Sequence, residues 1–97
     1  MTHYEVRDVR DAANGQWVNL LGILAPSLSP AIDRLGRHVP CPMHGGKDGF
    51  RLYRDSDKNG AGICNQCGSF KDGFDLLQEI NGWNFGETIR ELGNELF

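Results

Sequence analysis

Apolar residues recur at helical spacing at the start of the chain. Val6, Val9 and Ala13 share one face, Asn14-Gly15 interrupts, and Trp17, Leu20, Leu21 and Leu24 resume the pattern before Pro26. This predicts an amphipathic helical lead-in over residues 4–25, with its stripe packed on the rest of the domain. Ser29-Pro30 has the form of an N-cap with proline at the first helical position, so a short helix is expected to reach Leu35 and stop at Gly36. The period then changes. Phe50-Arg51-Leu52-Tyr53-Arg54 alternates, turn residues fill Asp55 to Gly60, and Gly62-Ile63-Cys64 returns, as a β-hairpin would. Helical spacing comes back at Phe74, Leu77 and Ile80, with Asp72 placed to cap and Gly82 to stop. Asn84 and Glu87 are spaced as a capping box for a last helix carrying Phe85, Ile89, Leu92 and Leu96 on one face.

Composition limits what these elements can build. At 97 residues the chain is expected to form one domain: a lead-in (1–36), a central segment (37–73) and two closing helices (74–97). Leu, Ile, Val and Phe number 24, enough to fold, but 13 glycines imply many turns and a thin core that needs a staple. The apolar run Leu20 to Ala25 falls far short of the ~20 residues a bilayer requires, and the first five residues do not resemble a signal peptide. A soluble, cytoplasmic protein with no membrane partner is therefore expected. The net charge of −3 conceals a gradient: residues 33–72 carry +2 and residues 73–97 carry −4. Only the central segment suits a polyanion, and charge alone does not predict nucleic-acid binding.

The staple is written in the ligand spacing. Cys41-Pro42-Met43-His44 and, nineteen residues on, Cys64-Asn65-Gln66-Cys67 offer four ligands as two pairs. Two intervening residues let a tight turn aim both side chains at one tetrahedral ion, which is zinc spacing. Gly45 and Gly68 follow the second ligand of each pair, where such a knuckle enters a left-handed conformation. The turns also leave backbone N–H groups free to donate to sulfur. A redox CxxC needs a βαβ context that is missing, and a zinc deaminase needs a His-x-Glu and a proline before Cys64 that are also missing. Three thiolates and an imidazole fill a tetrahedral zinc, leaving no open position, so one structural Zn2+ is expected. His38 and His3 are alternative fourth ligands, but His44 alone reproduces the spacing and the trailing glycine. Both knuckles run on into Lys-Asp-Gly-Phe, at 47–50 and 71–74, where each aspartate is expected to fix the exit and each phenylalanine to anchor the next element.

At these residues the chain resembles the N-terminal zinc-binding domain of DNA primases, above all the primase and primase-helicase proteins of plasmids, phages and integrative elements. His38 to Asp48 is similar to that family's first knuckle, Cys64 to Gly68 with Asp72-Gly73-Phe74-Asp75-Leu76-Leu77 to its second, and Gly82 to Ile89 to its tail. Two positions depart: many relatives have arginine at the place of Gly49 and cysteine at that of His44, and the histidine here resembles the Cys-His-Cys-Cys form of bacterial primases. The resemblance implies an α+β fold, a small zinc ribbon of antiparallel sheet flanked by N- and C-terminal helices. It implies contact with single-stranded DNA template in support of RNA primer synthesis by a separate primase catalytic domain during DNA replication, with a helicase as a further partner. The chain offers no phosphate-cradling loop or clustered carboxylates of its own, so catalysis is expected elsewhere, in cis or in trans.

Template contact requires cations for phosphates and planar groups for unstacked bases. Arg51 and Tyr53 on one face of the hairpin, Lys47 and Lys71 just past the knuckles, and Arg54 and His38 nearby are the candidates. The competing reading is a protein-interaction ribbon docking on a helicase or polymerase, favoured by the acidic carboxyl-terminal helices and the weak net basicity.

Overall fold

The computed structural model describes residues 3–97. The lead-in forms two helices, α1 (Val6–Ala13) and α2 (Trp17–Leu24), separated at Gly15, whose φ of +83° lets the chain turn without a Cβ clash. The end of α2 is closed from a distance: the Asn81 side-chain amide donates to the Leu24 carbonyl at 2.9 Å, satisfying one of the carbonyls a helix end leaves free.

Ser29 does not cap the next helix. A 3-10 turn (Pro26–Leu28) runs directly into α3 (Ser29–Asp33), and Ser29 already has helical dihedrals (φ −48°, ψ −46°). Ala25 breaks from α2 with φ −141°, and it is Pro26, with its fixed φ, that begins the new turn. The short helix also ends at Asp33 rather than Leu35.

The centre is a four-stranded antiparallel sheet in the order β1 (Val39–Cys41), β2 (Gly45–Leu52), β3 (Gly62–Cys64), β4 (Gly68–Phe70). The expected hairpin is β2–β3, with Phe50 opposite Cys64, Arg51 opposite Ile63 and Leu52 opposite Gly62. It differs from expectation at both ends. The strand starts at the first knuckle and stops at Leu52, two residues before Arg54. The connection is not an open turn but one turn of helix, α4 (Ser56–Asn59), closed by Gly60 at φ +76°. That turn is locked at both sides: the Ser56 hydroxyl donates to the Ala61 carbonyl, and the Asp57 carboxylate accepts the Val18 N–H at 3.1 Å. The outer strands β1 and β4 are additional to the hairpin.

Both closing helices form as the sequence indicates. Asp72 Oδ1 accepts the Asp75 N–H at 2.9 Å at the start of α5 (Gly73–Asn81), which ends in left-handed Gly82. At α6 (Phe85–Leu96), Asn84 Oδ1 accepts the Glu87 N–H at 2.8 Å and Glu87 Oε1 accepts the Asn84 N–H at 3.0 Å, a complete capping box. On its inner face Ile89 and Leu92 are buried, but Phe85 sits at the edge of the core, 42% exposed, beside the Phe74 ring.

One face of the sheet supplies Val39, Cys41, Phe50, Leu52, Cys64 and Phe70 to a core completed by Trp17, Leu20, Leu21, Leu28, Phe74, Leu76 and Leu77. Trp17 is central: its ring lies on the Cα of Gly73 and meets Phe74 edge-on at 5.1 Å between centroids. Of the two Lys-Asp-Gly-Phe segments, both phenylalanines anchor in the core as expected. Asp72 caps a helix, whereas Asp48 is an exposed residue within β2.

Candidate metal centre

The two knuckles are the turns that join β1 to β2 and β3 to β4. Cys41 ends β1 and Cys64 ends β3, both on the buried side of the sheet, so their thiols point inward and are nearly inaccessible. His44 and Cys67 follow three residues later at the ends of the turns and are exposed. Gly45 (φ +77°) and Gly68 (φ +99°) then carry the chain into the next strand in the left-handed conformation expected of them.

The four donor atoms lie within 4.8 Å of one another. Bonds of ~2.0–2.3 Å to a tetrahedral ion place donors about 3.5–3.8 Å apart. Cys41 Sγ and Cys67 Sγ are 4.0 Å apart, and His44 Nε2 is 3.0 Å from Cys64 Sγ, so small adjustments bring the set onto one centre. His38 lies outside the cluster, exposed ahead of β1; His3 also lies outside it, beside Glu5 at 3.7 Å. Three sulfurs and one imidazole nitrogen fit one Zn2+ with no vacant position.

The electrostatics of the four donors favour a cation. Burial pushes the Cys64 thiol up, but backbone N–H groups of Cys67 and Gln66, the His44 ring and the Cys41 thiol outweigh it and bring Cys64 down to about 6. Burial and the neighbouring Cys64 and Cys41 sulfurs drive Cys67 the other way, up to about 12. One thiolate is therefore stabilised and further ones repel it, which a divalent ion relieves. The backbone donors on Cys64 are the sulfur support expected of a knuckle.

Residues 36–74 match the family model described as the zinc-binding domain of primase-helicase. This segment is similar to a primase-type zinc ribbon. The match takes in both knuckles and the whole sheet and ends at the start of α5; α1, α2, α6 and the Gly82–Ile89 tail lie outside it. No solved structure matches the chain.

The sheet face of the ribbon that points away from the core is open. Strand alternation puts Lys47, Gly49 and Arg51 of β2 on it, with Ile63 opposite Arg51 on β3 and Ser69 opposite Ile63 on β4. Arg51 and Tyr53 form one unit, the guanidinium carbon standing 5.2 Å from the ring centroid. Arg54 lies off this face: its aliphatic stem packs over Gly36, whose N–H donates to the Leu52 carbonyl at 2.8 Å. Lys71 is exposed just beyond β4, where it lines a cleft with Arg10 and Lys58. Those two cations were not among the sequence candidates, because they lie 48 residues apart on different helices and only the fold joins them.

Proposed function

We propose that the ribbon binds single-stranded DNA template across the open face of its sheet, supporting RNA primer synthesis by a separate primase catalytic domain in DNA replication. The observation that carries this reading is the Arg51–Tyr53 pair, a cation held against an aromatic ring on a half-buried sheet face. Such a surface accepts unstacked bases, with Ile63 as its apolar floor and Lys47 available to phosphate. The zinc has no part in chemistry under this reading; it fixes the hairpins that present the face. The partners are the template, the catalytic domain and a helicase, in the cytoplasm; among the described residues no helix is long and apolar enough to cross a membrane.

The test is binding to oligo-dT between 50 and 200 mM salt. Affinity that falls with salt, and a K47A/R51A variant that binds weakly while retaining one zinc, agree with the reading; a flat salt response or unchanged affinity in the variant overturns it.

A second reading, docking on a helicase or polymerase, draws on one observation. Tyr4 and Phe97 stack at 5.8 Å in a groove rimmed by Glu5, Asp8 and Asp11, a surface suited to a basic segment of a protein. Charge reversal at Asp8 and Asp11 that abolishes helicase or polymerase capture, with DNA binding intact, would establish it.

A further inference from the structure

The cleft beyond β4 is assembled from parts of the chain that are distant in sequence. Arg10 comes from α1, Lys58 from α4 and Lys71 from the exit of β4; Asn14, Asn59 and Asp72 complete the polar lining. Its floor is the Trp17–Phe74 pair, both rings almost fully buried, and its volume is about 340 Å³, within the range of small-ligand sites.

Three cations converge here in a chain of net charge −3. The ion pairs among the described residues are His3–Glu5 and Arg90–Glu91, so none of the three is neutralised by a partner. Arg10 is held in place by the Phe74 ring, its guanidinium carbon 5.7 Å from the centroid. Asn59 Oδ1 accepts the Ala61 N–H at 3.1 Å, which leaves its NH2 group as a donor. The one carboxylate in the lining, Asp72, accepts the Asp75 N–H as the cap of α5 and keeps its charge, so three cations against one anion leave the lining with two net positive charges. Converging positive charge with amide donors, and with no open aromatic face for stacking, selects phosphate oxygens rather than bases.

We propose that this cleft is a phosphate-binding site through which the helical lead-in joins the ribbon in holding nucleic acid. Ser69 lies on the open sheet face and Lys71 two residues on lines the cleft, so a strand leaving that face past β4 meets Arg10, Lys58 and Lys71 with its backbone. The assignment of DNA as occupant rests on the sheet-face reading; the assignment of phosphate does not.

The experiment has two arms. In the first, the zinc-loaded protein is titrated with sodium tripolyphosphate at constant ionic strength while backbone amide shifts are followed by NMR. Saturable shifts at Asn14, Asn59 and Lys71, lost in R10Q/K58Q, are expected; glutamine keeps the first two methylenes of each stem and removes the charge, and zinc content and melting profile check the fold. Absent shifts, or equal shifts in the variant, overturn the site. In the second arm, dT6 and dT20 are compared. For dT20 the slope of log K against log salt should shrink by about 1.4 in R10Q/K58Q, two contacts at ~0.7 each, with dT6 unaffected. An unchanged dT20 slope overturns the nucleic-acid role. Arg51→Ala serves as the control for the sheet face: weakened binding of both lengths supports the face, and a loss seen only in R10Q/K58Q removes the face while the cleft stands.

Discussion

At the scale of single residues, Gly73 and Trp17 carry a constraint that no local pattern announces. A Cβ on Gly73 would collide with the indole carbons, and one on Gly60 would strike the backbone of Gly73, so α2, α4 and α5 meet where two glycines and a tryptophan stack. Gly73→Ala should destabilise the fold by about 1–3 kcal/mol through overpacking, read as a lower urea midpoint. Gly82→Ala, where nothing lies within 4 Å but φ is +68°, should cost about 1–2 kcal/mol through backbone conformation alone, read the same way. The metal ligands, by contrast, are readable one residue at a time: the two-residue spacing and the glycine after each second ligand are properties of the knuckle alone. The DNA candidates are not: alternation sets Arg51 and Tyr53 apart from Arg54, but that β2 stops at Leu52 and that Arg54 packs over Gly36 are visible only in the fold.

Among the secondary-structure elements, the helices were legible in the sequence where their caps are. Asp72 and the Asn84–Glu87 box are local signals, and α5 and α6 begin where they indicate. Asp72→Ala should therefore cost ~1 kcal/mol, measurable by denaturant unfolding, and should leave zinc binding unchanged. Ser29-Pro30 misleads because the same proline preference acts at Pro26, three residues upstream of Ser29, and the helical turn has already begun there. Strands β1 and β4 have only three residues each, too few for an alternating pattern to rise above chance, and α4 is a single turn held by the local Ser56–Ala61 bond and by Asp57, which accepts from Val18 on the distant α2. Their existence depends on pairing and packing, which spacing along the chain does not record.

Across the whole molecule, the ribbon is closed at one end by the β2–β3 connection and at the other by the ligands of the two knuckles. Structural zinc in small modules contributes roughly 10 kcal/mol, comparable with the whole stability of a domain this size. Removing it with EDTA should abolish the cooperative melting transition, and Cys64→Ser should behave as the stripped protein does. A native melting profile in metal-free protein would refute a structural ion. The same clamp has an inside and an outside: Cys41 and Cys64 are enclosed by the sheet, while His44 and Cys67 stand at the tips of their turns in water. With zinc bound all three sulfurs are thiolates, and exposure decides between them: peroxide arriving from solvent meets Cys67 before either inner sulfur, so oxidative damage is expected to start at the one thiolate on the rim and to open the fold from there.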